Sequence, residues 1–409
     1  MKKILGLMAN IGFGGAEVQS VLLFNGLCKK GYTVKVIVLD SIRVQLAQRL
    51  DKSIAVEFIK RYAYFDPAAV IKVERHLAEF DPDFFIMVDN YPTLYGILLK
   101  KLFRMRTDNL TIIHNTVPPN IKRALQNRFI YAPSINRLNR VVFVSSRQKQ
   151  YWMERYGILA DKASVILNGI DFEYFDQFYQ SHTPGECRDV FGIPRDCAVI
   201  VMNASLWPAK SHEHMLEAVH ALRKEGQKLY LLLIGDGPRR AFLEKLAAEK
   251  GLAGHMRITG YVSDVRPYLM CADVSALTSV SVETLSLAAL ESMALGKALI
   301  LSDTGGAAEI VEHGVNGYLY TPGNIEELTN CIRNILKDER CRRMGDEARS
   351  KAVSLFTCER MVDEYVRLLE DSRTLRTAVS AEMINKKRDA VIEYIHENRR
   401  AEEAGCQKH

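Results

Sequence analysis

The chain has 409 residues, 48% of them hydrophobic and 25% charged, with a formal net charge of +6. That balance excludes a disordered or low-complexity protein, and the length exceeds what one core usually organises, so two domains are expected. No apolar run approaches the 18 or more residues of a membrane span, and the apolar start Ile4–Met8 is too short for a secretory leader.

In chain order, Ile4–Met8 reads as a short buried strand and Ala16–Lys30 as a helix ended by Gly31. Apolar strands follow at Val34–Leu39, Phe84–Val88, Leu110–Ile113 and Val141–Val144, with helices over Ala68–Phe80 and Tyr95–Phe103 between them. Continuous apolar strands joined by helices imply a parallel sheet covered on both faces. The polar stretch Gln177–Glu186, containing Pro184-Gly185, reads as an interdomain linker. Beyond it the pattern repeats. Strands are predicted at Ala198–Met202, Leu229–Ile234, Arg257–Thr259, Val274–Leu277 and Ala298–Leu301, and helices at His214–Glu225, Arg239–Lys250 and Ser286–Leu295. The reading gives an α/β protein of two doubly wound Rossmann-like domains, 1–180 and 186–370, followed by a helical extension over 371–409. Such domains bind ligands at the C-terminal strand edges, here across a shared cleft.

The segment from Ser279 to Gly296 carries the most chemistry. Glu283 lies in a polar loop, and Glu291 lies eight positions later inside a strong helix former. Ser286 suits an N-cap and Gly296 the residue just past the helix end. Unpaired N–H groups at that helix start favour a phosphate, with one carboxylate before the anion site and one behind it. Two hydroxylated groups joined by a diphosphate, the layout of a nucleotide sugar, match that arrangement. Gly12-Phe13-Gly14-Gly15-Ala16 follows the first strand and opens a helix, so its backbone can approach a phosphate. A dinucleotide fingerprint is disfavoured there because Glu17 stands where Gly or Ala is needed.

Four elements occur in order: Gly14-Gly15-x-Glu17, Asn168-Gly169-Ile170-Asp171, Glu283-x7-Glu291, and Gly305-Gly306-x-x-Glu309 with Asn316-Gly317. With them, residues 1 to about 370 resemble the retaining glycosyltransferases of family 4 (glycosyl transferases group 1), which have the GT-B fold. The resemblance implies a catalytic set of Glu283, Lys210 and His114. It implies donor binding by Gly14, Gly15, Ser205, Gly235, Tyr261, Val262, Thr284, Leu285, Ser286 and Glu291. Family members usually place an Arg at the position of Ser205. Glu283 is assigned to donor-sugar hydroxyls, Glu291 to the ribose, and Lys210 with the Ser286 helix end to the diphosphate. His114 is assigned to the sugar and phosphates. Asn90 and Asn115 are read as facing the acceptor, Asn168–Asp171 as a structural turn, and Glu309 as a first-turn acid serving its own helix dipole.

The function implied is transfer of a hexose or N-acetylhexosamine from a nucleotide diphosphate sugar, a UDP-sugar by the resemblance, to a hydroxyl. Configuration is retained, in cell-surface polysaccharide or glycolipid assembly, with no carboxylate expected as a nucleophile on the first-domain side. A nucleotide-sugar epimerase and a donor-binding module without catalysis are the alternatives. The eight cysteines form no C-x-x-C pair and read as reduced thiols, so neither a metal nor another cofactor is expected, and the protein is expected to be cytoplasmic. Lys100–Lys149 holds eleven basic residues and one acid, Asp108, which points to an anionic partner. A membrane surface carrying a saccharide or lipid-linked acceptor fits. Nucleic acid does not, because aromatics are not interleaved at regular spacing. The helix expected over Thr377–Arg400 either packs or lies at the membrane.

Overall fold

In the computed structural model the described residues are 1–371, apart from 63–65, 104–106, 117, 119, 282 and 338. Residues 1–362 form one compact unit and a second begins at Asp363. The expected Thr377–Arg400 helix lies outside the described residues.

The first unit contains two parallel sheets. The seven strands of the first are β1 (Lys3–Met8), β2 (Thr33–Val38), β3 (Ala55–Phe58), β4 (Phe84–Val88), β5 (Asp108–Ile113), β6 (Arg140–Phe143) and β7 (Ala163–Val165). Their spatial order is β3-β2-β1-β4-β5-β6-β7. The second sheet has β8 (Ala198–Asn203), β9 (Leu229–Ile234), β10 (Met256–Ile258), β11 (Val274–Leu277), β12 (Ala298–Ser302) and β13 (Gly317–Tyr320), ordered β10-β9-β8-β11-β12-β13. Each sheet reverses its winding once, between β1 and β4 in the first and between β8 and β11 in the second. Doubly wound sheets bind ligands just beyond the strand ends at that reversal. The residues there are Ala9–Gly15 and Asp89 on one side, and Asn203–Lys210 and Thr278–Ser286 on the other.

The central strands are buried on both faces, as continuous apolar runs require: every residue of β4, β11 and β12 is buried. The strands not foreseen, β3, β7 and β13, are three or four residues long and lie at sheet edges, too short and too exposed to give a periodic signal.

Two expectations are corrected. The Gln177–Glu186 linker is mostly helix, formed by Phe172–Ser181 and Pro184–Phe191 with only His182 and Thr183 between them. Pro184 is not a turn residue but the first residue of a helix. Thr183 Oγ1 accepts from Glu186 N at 3.3 Å, and Glu186 Oε2 accepts from Thr183 N at 2.8 Å, which closes a capping box. The second correction concerns Asn168–Asp171, which is structural as expected but is not an Asn-Gly turn, since Gly169 has no positive φ. It is a junction. Gln19, on the first-domain helix Gly15–Lys29, bonds both the N–H and the carbonyl of Gly169, and Asn168 Nδ2 donates to Leu285 O at 3.3 Å. Ile170 exchanges hydrogen bonds with Phe356 and Cys358, and Asp171 caps the following helix. Glycine is needed for close approach: a Cβ at 169 would lie 2.6 Å from the Thr357 carbonyl oxygen. Gly169→Ala is therefore expected to destabilise the fold by about 1–3 kcal/mol, read as a lower Tm in calorimetry. An unchanged Tm would show that residues 357–358 are free to move away.

Candidate active site

The first-domain wall is set by β1, β4 and β5. After β1 the chain reaches Gly14, whose extended backbone precedes the helix Gly15–Lys29 without any side-chain cap. Within the first turn the Glu17 carboxylate accepts from its own N–H, and the N–H groups ahead of it carry no side-chain cap and can meet an anion. Asp89 follows β4 with φ of 67°, a left-handed turn that directs its carboxylate along the sheet edge. Its Oδ1 accepts from His114 N at 2.9 Å and from Asn115 Nδ2 at 3.3 Å. Burial pushes the Asp89 carboxyl up to about 6. Glu17 lies near Asp89 and His114 and is also raised by burial, and burial pushes the His114 imidazole down to about 4. At neutral pH His114 is therefore an uncharged donor and acceptor.

Asp89, and not its neighbour Asn90, stands at the cleft edge. The left-handed turn at Asp89 decides between them. Asn90 is buried and donates to Asn127 Oδ1 at 3.3 Å, so it does not face the cleft. Two carboxylates, Glu17 and Asp89, stand on the first-domain side.

On the second-domain wall, Glu283 and Lys210 meet directly. Lys210 Nζ donates to Glu283 Oε2 at 2.5 Å, and Ser279 Oγ donates to the same oxygen at 2.9 Å. Thr284 bridges the walls: its Oγ1 donates to His114 O at 2.7 Å and lies 3.0 Å from Thr116 Oγ1. Leu285 is buried, and Ser286 caps the helix Leu287–Ala294 through a bond from Ala289 N at 3.4 Å. Leu287 opens that helix against Gly15, where a Cβ would lie 3.7 Å from Leu287 Cδ1. Two helix N-termini therefore converge on one region. Ser205 is exposed and brings no charge. Gly235 and Gly260 are joined by an N–H···O bond of 3.1 Å, so the loops after β9 and β10 meet at the rim as expected. Tyr261 follows there, its ring centroid 4.7 Å from that of Phe13 of the opposite wall.

Glu291 accepts from Asn203 Nδ2 at 3.2 Å and lines a cavity of about 260 Å³ with Arg49, Asp264 and Leu287. Burial pushes its carboxyl up to about 7, against the pull of the Arg49 guanidinium. Arg49 is a first-domain residue that spacing could not find, because it lies in a three-residue 3-10 turn far from any motif.

Glu309 requires a further correction. Its own helix, Ala307–Ile310, has four residues and little dipole to stabilise. The carboxylate instead accepts from Ser146 N at 2.9 and 3.0 Å, capping the helix Ser146–Tyr156 of the first domain, while Arg147 pairs with Asp303 at 2.6 Å. Among the described residues, no group of three His, Cys, Asp or Glu is arranged to hold a metal ion, and all seven cysteines are free.

Residues 185–351 match the family model for glycosyl transferases group 1, and residues 13–174 match the model for glycosyltransferase family 4. The chain belongs to the GT-B glycosyltransferases. The lipopolysaccharide core biosynthesis glycosyltransferase LpsE of Rhizobium meliloti is 32% identical over 177 residues, 43% of this chain and 51% of that protein. The UDP-Gal:alpha-D-GlcNAc-diphosphoundecaprenol alpha-1,3-galactosyltransferase of Escherichia coli is 25% identical over 57% of this chain and 60% of its own length. The chain spans about half the length of the first curated relatives it matches. The crystal structure of Anabaena HepE in complex with UDP shares the fold, with a TM-score of 0.79 and 22% identity over 91% of this chain and 100% of that one.

Burial of Glu291 has a measurable consequence. An acid whose folded pKa is raised holds a proton that the unfolded chain has released, so its stabilising contribution is full below the ordinary glutamate range. That contribution is lost as pH rises towards 7. His114 and His212, both pushed down to about 4 by burial, act oppositely between pH 4 and 6.5. Glu291→Gln should remove only the first effect, so the gain in Tm over the parent should grow between about pH 5 and 7.5. A constant difference would show Glu291 ionised in the unliganded protein.

Proposed function

We propose that this protein transfers a hexose or N-acetylhexosamine from a UDP-sugar to a hydroxyl of a saccharide or lipid-linked acceptor, with retention of configuration. The setting is assembly of a cell-surface polysaccharide or glycolipid on the cytoplasmic side of an anionic membrane. One observation carries the reading: Glu283 and Glu291 flank a Ser286-capped helix end that faces the uncapped Gly14–Gly15 helix end across the cleft. Two converging helix N-termini form an anion site for a diphosphate, and the flanking carboxylates reach a hydroxylated group on each side of it. The UDP bound by HepE and the UDP-sugar and lipid diphosphate named for the Escherichia coli relative support the choice of donor and acceptor.

In this reading Glu291 accepts from the ribose hydroxyls and ionises as it does so. Lys210 moves from Glu283 towards the leaving diphosphate, which frees Glu283 for hydroxyls of the donor sugar. The two helix ends and Lys210 take up the charge that develops as the glycosidic bond breaks. The acceptor hydroxyl enters from the same face and passes its proton to a leaving phosphate oxygen. Glu17 and Asp89, raised by burial, serve as hydrogen-bonding partners of sugar hydroxyls, and neither is assigned attack at carbon. No step is assigned to a metal ion.

Incubation with a panel of UDP-sugars, with and without lipid-linked acceptors, should release UDP and give an axial anomeric product from an axial donor. An epimerised nucleotide sugar without UDP release would mark the epimerase, and tight UDP binding without turnover the binding module. Charge-assisted hydrogen bonds contribute about 1.5–3 kcal/mol each, so Glu291→Ala should weaken UDP binding at least about tenfold in calorimetry. Glu283→Ala should lower kcat strongly while UDP affinity stays nearly intact. Equal loss of both would mean that Glu283 shapes the loop through Lys210 and Ser279 and does not read the sugar.

A further inference from the structure

Arg49 is fixed by its backbone, while its side chain is unpartnered. Its N–H donates to Leu46 O at 2.9 Å, and its carbonyl accepts from Asn25 Nδ2 at 2.8 Å. Asn25 belongs to the helix Gly15–Lys29, and Leu46 N donates to Ile11 O at 3.0 Å, in the loop that leads to Gly14. The residue is exposed, and among the described residues it forms no ion pair. Two hollows meet at Arg49. One is the cavity of about 260 Å³ lined by Glu291 and Asp264; the other, of about 510 Å³, is lined by Phe13, Gly14 and Tyr261. Among the described residues that line either hollow, Arg49 is the one Lys or Arg.

The carboxylates of the first hollow have partners of their own. Arg266 holds Asp264 at 2.8 Å, Asp171 caps the helix Phe172–Ser181, and Glu291 accepts from Asn203 Nδ2. Arg49 lowers the carboxyls of Asp264 and Glu291 by its charge without pairing with either. The diphosphate, in contrast, is short of cations. It brings more than one negative charge, Lys210 starts out on Glu283, and Ser205 is exposed and uncharged. Arg49 shares one hollow with Gly14, whose uncapped helix end is one side of the anion site. It shares the other with Glu291, the group assigned to the ribose. A phosphate joined to that ribose on the Gly14 side therefore comes past Arg49. The planar guanidinium fork, charged at any working pH, fits such a group.

We propose that Arg49 is a donor-binding residue of the first domain, its guanidinium holding the diphosphate of the nucleotide sugar. The proposal rests on the UDP-sugar reading, but its test needs no turnover. The full chain is titrated in calorimetry with UDP and, at higher concentration, with uridine. Arg49→Gln keeps both backbone hydrogen bonds of the turn, so an unchanged Tm is expected and marks a folded variant. It should bind UDP at least about tenfold more weakly, while uridine changes by less than about twofold. Arg49→Lys should recover part of the loss, because an ammonium keeps the charge but not the fork. In the Glu291→Gln background Arg49→Gln should still weaken UDP about tenfold, since a phosphate contact adds to a ribose contact. Equal UDP affinity in parent and Arg49→Gln overturns the proposal and leaves the UDP-sugar reading intact. An equal loss for UDP and uridine also overturns it, because Arg49 would then shape the hollow or meet the base. So does a loss that vanishes in the Glu291→Gln background, which would show Arg49 acting only through Glu291. A parent that binds no UDP overturns both readings. A parent that binds UDP through Arg49 yet transfers no sugar sinks the catalytic reading and leaves this one standing.

Discussion

The cleft depends on how the short segment from Glu283 to Ser286 is clamped. Thr284 reaches the first domain through His114 O and Thr116, and its own carbonyl accepts from Gly306 N at 2.5 Å. Gly305, with φ of 52°, packs so tightly on this segment that a Cβ would collide with the Glu283 carbonyl. Leu285 is pinned by Asn168, and Glu283 by Lys210 and Ser279. Fixed from four directions, the segment sets the start of the Leu287–Ala294 helix against Gly15 and directs Glu291 into its cavity. Positions held this closely give the preorganisation that electrostatic catalysis requires.

The two walls are also electrostatically unlike. The second domain carries an ion pair, Lys210 with Glu283, and one acid near its titration point, Glu291. The first carries two acids, Glu17 and Asp89, raised by burial, and a neutral imidazole. A charged diphosphate therefore finds its compensation at Lys210 and at both helix ends, while the other wall offers hydrogen-bonding groups and no cation from Glu17, Asp89 or His114. That division suits a donor held by the second domain and a neutral hydroxyl presented by the first.

Hydrogen bonds join the walls at places remote from the ligand cleft as well. Glu309 caps a first-domain helix, and Arg147 answers through Asp303. The Glu309 contact joins a side chain to a backbone N–H, and the Arg147 contact joins two exposed side chains. The junction at 168–171, closed on Phe356 and Cys358, is the exception, because main-chain bonds run in both directions there.

The amino-acid sequence alone determined the alternation of strand and helix, the parallel sheets, and the Ser286 cap with Gly296 beyond it, because burial pattern and capping are local properties. It also placed Glu283, Lys210, His114 and Glu291 at strand ends or on a helix facing the cleft. Tertiary structure decided which of them touch. That Lys210 rests on Glu283, that Asp89 rather than Asn90 faces the cleft, and that Glu309 serves another domain's helix all follow from contacts across 73 to 163 residues or from one left-handed turn. Residue spacing holds no record of such contacts. The same holds for Arg49, which a three-residue 3-10 turn far from any motif brings to the cavity of Glu291.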